Sequence, residues 1–288
     1  MPIVFKQLGY MLLLYLPVGA LIFWFYLKRR KQDSEAMAPF EELKRRPAGE
    51  SNRLRIEELN EKMDPWLMWI VTIPILLAVF LTLKKPSLTA VILFFLLSAG
   101  LCAVAYFRLR PLIRARACYQ LGFRGERYVA EELNELIADG FRVFHDVPFE
   151  KYNMDHVIVG PTGVFVVETK TKRKPVLGGE KQYRVVFDGE RLQFPNGSDV
   201  DALEQVRRNR KTLSHWLSSS TADHITVEGI LTIPGWWVER SVRSKIDIHI
   251  VNPKEIRSLV TASTAHRLSD AEIQRASHQL QQKCKLPV

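Results

Sequence analysis

Hydrophobic and polar positions divide the chain into two regimes. Leu8 to Leu27, Trp66 to Leu83 and Leu88 to Phe107 are apolar runs without a charged residue, each reaching the roughly 18 to 20 residues that a bilayer requires. From about residue 119 the runs shorten and become periodic. Gly122-Phe123-Arg124-Gly125-Glu126 is expected to open a helix with Val129, Leu133 and Leu136-Ile137 on one side, and Phe141-Arg142-Val143-Phe144 reads as a strand. Two further strands follow, Met154 to Val159 and Val164 to Glu168, then a helix carrying Leu203, Val206, Leu213 and Trp216-Leu217, then a strand at Val227 to Ile233. Val185 to Leu192 reads as an inserted hairpin turning at Asp188-Gly189, and Ile246 to Val251, Pro253 to Val260 and Asp270 to Lys283 as a strand and two helices. The predicted class is α/β: helix, three-stranded antiparallel meander, helix, strand, preceded by three transmembrane helices.

Gly160-Pro161-Thr162-Gly163 is turn chemistry, so the strands on either side are expected to pair antiparallel. If Gly160 faces Gly163, Asp155 lies opposite Glu168, with Cβ atoms about 5 Å apart. Pro161 also permits a type I turn with a bulge at Gly163, which would make the pair diagonal. Lys170 follows Glu168 by two and shares its face. Charged strand ends are ordinary in themselves. Two carboxylates facing one another at the ends of buried strands are nonetheless unfavourable unless something positive lies between them, and a divalent cation with oxygen ligands and a neighbouring lysine would satisfy the arrangement.

Gly125-Glu126, Asp155-His156-Val157-Ile158-Val159, Gly163 to Lys170 and Gln205 resemble the nuclease-related domain, NERD, of the PD-(D/E)XK nuclease-like superfamily, over roughly residues 119 to 235. The proline that precedes the first acid in that superfamily is Met154 here. The resemblance implies a restriction-endonuclease-like core in which Asp155 and Glu168 hold Mg²⁺ or Mn²⁺ and Lys170 orients or polarises the attacking water. It makes Glu126 and Gln205 accessory members of the catalytic set. Phosphodiester hydrolysis needs charge stabilised on nonbridging oxygens and hydroxide generated near neutral pH, and an oxygen-ligated dication serves both needs. Read without the resemblance, Lys170 could be in a salt bridge to a neighbouring acid, and Glu126 could be a first-turn acid complementing a helix dipole.

Positive charge orients the apolar runs. Lys28-Arg29-Arg30-Lys31, Lys44-Arg45-Arg46, Arg53, Arg55 and Lys62 lie between the first two, and Arg108, Arg110, Arg114 and Arg116 follow the third. Both segments are expected on the cytoplasmic side, with the N-terminus and the Lys84 to Ser87 turn outside. The first run has no small-residue cleavage site after it and its basic residues follow it, which argues against a signal peptide. The expected organisation is a membrane region over 1–118 and a cytoplasmic domain over 119–288, in a multi-pass protein of a bacterial inner membrane.

The net charge of +10 is mostly membrane topology: residues 1–118 hold 17 Lys and Arg against 9 Asp and Glu, and residues 119–288 hold 24 against 22. Local clusters remain at Lys172-Arg173-Lys174 and at Arg207-Arg208 with Arg210-Lys211, where they could contact a phosphate backbone or form a solvated face. Cys102, Cys118 and Cys284 have no metal-ligand spacing and imply no disulfide framework. His156 alternates to the sheet face away from Asp155.

Two functions fit these features. One is a membrane-anchored nuclease cutting DNA or RNA, DNA in preference, at the cytoplasmic face. The other is a noncatalytic membrane protein that uses the same fold to bind nucleic acid or a protein.

Overall fold

A computed structural model describes Trp24 and residues 45–83, 87–150, 152–177, 179–241, 247–264 and 266–285. The expected span at Leu8 to Leu27 lies outside the described residues, Trp24 excepted. By internal contacts the chain forms two compact units, one of Met1–Glu42 with Leu59–Arg114, the other of Leu43–Glu58 with Ala115–Val288.

The described residues of the first unit, Trp24 and Ser87 excepted, belong to two long helices, each of which continues into the second unit. α1 spans Glu50–Leu83, taking the charged stretch around Leu54 and the expected span from Trp66 into one helix. α2 spans Leu88–Asn134. Among the described residues one helical stretch, Leu88–Asp139, is long and apolar enough to cross a membrane, where the sequence reading expects three. Several side chains of the Trp66 to Leu83 stretch lie outside the described residues. The apolar window of Leu88–Asp139 is only 6% buried inside the protein. Phe95 and Phe107 are largely exposed, at 70% and 69%. An apolar helix with so little protein around it lacks the cover that a core helix would have.

The second unit is built on a five-stranded sheet. Its first three strands are β1 (Arg142–Pro148), β2 (Asn153–Gly160) and β3 (Gly163–Thr169), and two more join it after an insertion. The insertion contains the two-residue strands β4 (Val176–Leu177) and β5 (Glu180–Lys181), then β6 (Arg184–Phe187), β7 (Leu192–Phe194) and β8 (Gly197–Asp199). α3 (Asp201–Thr221) leads back to β9 (Val227–Thr232). β10 (Trp237–Arg240), β11 (His249–Val251), α4 (Ile256–Ala262) and α5 (Asp270–Lys283) complete the chain. The main sheet runs β1-β2-β3-β9-β11, antiparallel through the first three strands and parallel from β3 onward. A smaller sheet, β10-β6-β7-β8, lies to the side.

Period-two alternation gives each face of the main sheet its own cover. Ile158, Phe165 and Val167 point to the end of α2 and to α4, packing with Val129, Leu133, Ile256 and Val260. Val157, Val159, Val164 and Val166 point the other way, against Leu213 and Leu217 of α3 and Ala276 and Leu280 of α5. β2 and β3 are buried on both faces, which is why they read as nearly continuous apolar runs. The β2–β3 register resolves the open turn: Gly160 pairs with Gly163, so the two-residue loop is Pro161-Thr162 and the diagonal alternative does not occur.

One boundary differs from the sequence reading. Gly122 to Glu126 does not open a helix; it lies inside α2, well past its midpoint. The apolar periodicity after Gly122 suggests a start there, but the two glycines serve close approaches within the helix. A Cβ at Gly125 would come within 1.8 Å of Thr171 Cγ2, and one at Gly122 within 3.0 Å of the Asn52 amide. Glu126 therefore has no role as a first-turn acid.

The Gly125–Thr171 contact seats α2 against the chain just beyond Lys170. Gly125→Ala is expected to destabilise the protein by about 1 to 3 kcal/mol through overpacking. Thr171→Ser, which removes the clashing methyl, should recover most of that loss. Thermal melting of the two single variants and the double variant measures the coupling, and additive effects would mean that the helix gives way instead.

Candidate active site

Counting along the paired strands aligns three acids in one row. β2 and β3 pair from Gly160↔Gly163 to His156↔Val167, and the next position sets Asp155 against Glu168. On the other side, β1 and β2 pair at His145↔His156 and again at Val147↔Met154, so Asp146 falls opposite Asp155. Asp146 has a positive φ of 47°, and the ladder is interrupted there. A fourth carboxylate, Glu126, arrives from α2 and is buried, as are Asp146 and Glu168.

Each acid has its own set of partners. Asp155 Oδ2 accepts the Thr169 backbone N–H at 2.7 Å. Glu168 is held from α3: the Gln205 side-chain amide donates to Oε1 at 2.6 Å and that of Asn209 to Oε2 at 3.0 Å. Asn209 is fully buried, and its own Oδ1 has no hydrogen-bond partner. Asp146 accepts from Arg46 Nε at 2.7 Å and Ser51 Oγ at 2.6 Å. Glu126 accepts from the Asn52 amide at 2.5 Å.

Glu126, Asp155 and Glu168 sit above the usual carboxylate range. Burial pushes Glu126 up to about 9, with the charges of Asp155 and Asp146 adding to it and the Asn52 hydrogen bond opposing. Burial pushes Asp155 up to about 7; the Thr169 amide and Lys170 work against it, and Asp146 with it. Glu168 is raised well above its ordinary value, by burial first and then by Asp155 and Glu126, with Lys170 and Arg208 pulling it back. Like charges removed from water favour the protonated forms, and a cation among them would reverse that preference.

The remaining candidates divide. Lys170 reaches Asp199 at 3.2 Å, so it is paired with an acid of β8 instead of with Glu168. The other oxygen of Asp199 accepts the Ala202 amide at 3.1 Å, which ties Lys170 to the first turn of α3. Lys172 lies over the Phe194 ring at 4.0 Å, while Arg173 and Lys174 are exposed. On α3, Arg207 and Arg210 are both bound to Asp247 at 3.1 and 3.3 Å, whereas Arg208 stacks over Tyr152 at 5.7 Å and Lys211 is exposed. His156 faces away from the acids, as expected; its Nδ1 lies 2.9 Å from His145 Nδ1 and its Nε2 3.3 Å from Thr169 Oγ1.

Sequence reasoning missed Asp146, Asn209 and Asp199. Asn209 had a signal, since it is four residues beyond Gln205 and shares its helix face. Asp146 would have followed from extending the β1 strand past Phe144 and counting its register. Asp199 lies in a three-residue strand that hydrophobic periodicity cannot show.

The oxygen-only donor set of Asp155 and Glu168 suits Mg²⁺ or Mn²⁺, which commonly take one or two carboxylates and keep several waters. The unpartnered Asn209 Oδ1 adds a buried acceptor beside Glu168. Among the described residues no three His, Cys, Asp or Glu side chains form a cluster that could hold an ion.

The family model of the nuclease-related domain, NERD, matches residues 121–234. That range holds Glu126, Asp155, Glu168, Lys170 and Gln205, and agrees closely with the span of the sequence resemblance. An uncharacterised protein of Bacillus anthracis is 26% identical over 163 residues, covering 54% of this chain and 74% of that protein. No solved structure matches the chain. Residues 121–234 are thus similar to a nuclease-related domain and form a mixed α/β core.

The raised carboxyls set the sign of a pH effect. Their folded pKa values exceed the unfolded ones, so the folded state binds more protons between about pH 4, near the ordinary carboxylate value, and about pH 9. Without divalent metal, stability should fall as pH rises through that window, by an amount on the order of a few kcal/mol. Denaturant titration in chelator from pH 5 to pH 9 measures it, and stability that rises with pH would contradict the arrangement.

Proposed function

We propose that the chain is a membrane-anchored, metal-dependent nuclease that hydrolyses phosphodiester bonds of nucleic acid, DNA in preference to RNA, at the cytoplasmic face of a bacterial inner membrane. The observation that carries this reading is the convergence of Asp155 and Glu168 from adjacent strands, with Gln205 on Glu168 and Lys170 nearby. In this reading Asp155 and Glu168 hold Mg²⁺ or Mn²⁺, which supplies charge stabilisation at the phosphate and an acidified water. Gln205 and Asn209 fix the Glu168 carboxylate so that it need not reorganise during the reaction. Lys170, steadied by Asp199, supplies a hydrogen bond and a positive charge to the water or the phosphate. Arg208, Lys172, Arg173, Lys174 and Lys211 are available to the nucleic-acid backbone; Arg207 and Arg210 contribute less because Asp247 engages them. The three apolar runs serve as the anchor.

A noncatalytic binding role is the second reading. It is favoured by the full use of both Glu168 oxygens by amides and by the engagement of Lys170 with Asp199.

Cleavage by the full-length protein in detergent separates the two. Nicking or degradation of DNA or RNA should require Mg²⁺ or Mn²⁺ and stop with chelator. Asp155→Ala and Glu168→Ala should lose metal affinity and turnover together. Lys170→Ala should keep most metal affinity while turnover drops about 10²-fold or more. Glu126→Gln and Gln205→Ala should have smaller effects, and Arg173→Ala should mainly weaken substrate binding and its salt dependence. If no divalent metal supports cleavage of single-stranded or duplex substrates, and Lys170→Ala and Arg173→Ala weaken binding equally, the second reading holds.

The anchor is tested separately. Reporter fusions after Arg116 should read cytoplasmic and fusions within Lys84 to Ser87 external. An external reading after Arg116 would remove the domain from cytosolic nucleic acid.

A further inference from the structure

The acid site has a wall that the nuclease-related match leaves out. A cleft of about 800 Å³ is lined by Glu126, Asp146 and Asp155 on one side and by Arg46, Ser51 and Asn52 on the other. The latter three come from about 70 to 100 residues earlier in the chain, where the sequence shows only a charged loop and the start of a helix. Their seat is specific. Ala48 and Glu50 are buried, and Glu50 is held by both Nε and Nη2 of Arg53 at 2.8 and 2.6 Å. Gly49 has a φ of 77° and lies so close to Phe123 that a Cβ would come within 2.7 Å of the ring. The Arg46 backbone N–H donates to the Cys284 carbonyl at 3.2 Å, which ties the segment to the end of α5.

The two contacts with the acids differ in kind. Arg46 meets Asp146 through Nε at 2.7 Å and Nη2 at 2.5 Å, and Ser51 donates to the same carboxylate at 2.6 Å. The guanidinium places its charge on Asp146 Oδ2 with both of these nitrogens, and Ser51 holds Oδ1, so both oxygens are engaged. Asp146 is the acid across the strand from Asp155, so unpaired it would be both a repelling charge and a rival ligand for any cation there. Asn52 holds Glu126 by a neutral amide instead. A neutral donor orients a carboxylate without competing with a cation for it, as a lysine or arginine would.

We propose that Arg46 and Asn52 are positioning residues of the acid site, which prepare it for a divalent cation by withdrawing Asp146 and orienting Glu126. This inference rests on the metal-dependent reading above. It makes the segment before the second apolar run part of the catalytic unit, so that a nuclease domain cut at residue 119 is incomplete.

The test is Mn²⁺ affinity by titration calorimetry on the full-length protein in detergent, with the melting temperature of the metal-free protein recorded alongside. Asn52→Ala should weaken Mn²⁺ binding about 10-fold or more, as loss of a partner that orients a ligand does, with little change in metal-free melting. Arg46→Met should weaken it similarly and also lower melting, because it leaves Asp146 buried and unpaired. The double variant Arg46→Met, Asp146→Asn should regain both, since the rival charge is gone. Glu61→Gln, an exposed change further along the same helix and away from the cleft, should bind as wild type does. Wild-type affinity in both Asn52→Ala and the double variant's parent Arg46→Met would overturn the positioning role alone. Absence of Mn²⁺ binding in the wild-type protein would overturn the metal-dependent reading and the positioning role with it.

Discussion

Antiparallel register forces like charges together in this protein, and much of the surrounding structure answers that. Once Gly160 pairs with Gly163, Asp155 must face Glu168, and the β1 register adds Asp146 on the other side. Side-by-side carboxylates removed from water are costly, and each is met by donors from a different part of the chain: a strand amide for Asp155, helix α3 for Glu168, and the segment around Arg46 and Asn52 for Asp146 and Glu126. These partners bring α2, α3 and the start of α1 to one end of the sheet. The apolar faces of β2 and β3 supply the cohesion that holds the row in place.

The order of elements was legible because it depends on patterns that a single sequence carries. β2 and β3 are continuous apolar runs with glycine at each side of a short turn, and α5 matches its expected bounds because Ser269 and Glu272 cap it reciprocally. The Asp155–Glu168 pair follows from the same counting. Gln205 was assigned to the site by resemblance, and the structure gives it a physical task as a donor to Glu168.

What the sequence did not reveal depends on contacts between distant segments. No local pattern marks Arg46 as the partner of Asp146, one hundred residues away, or Asp199 as the partner of Lys170. The helix start expected at Gly122 was read from where the apolar periodicity begins, yet those glycines answer to Asn52 and Thr171, which only the folded chain brings near. The basic residues on α3 looked alike in sequence and differ in the fold, because Asp247 engages Arg207 and Arg210 while Arg208 lies over Tyr152.

The histidines behind the site have a consequence of their own. His145 and His156 meet through their Nδ1 atoms, so one ring must offer a proton and the other a lone pair. Burial keeps both rings from charging: it holds His145 down to about 4 and His156 well below its ordinary value. If His156 accepts from His145, its Nε2 carries a hydrogen and donates to Thr169 Oγ1; if it donates, Nε2 accepts from that hydroxyl. The chain of bonds from β1 to β3 therefore has two opposite polarities and no charged state. It ends on the residue whose backbone N–H holds Asp155. The tautomers of two imidazoles and the rotation of one hydroxyl thus move as a single unit, and their direction fixes the dipole that lies behind the acid row.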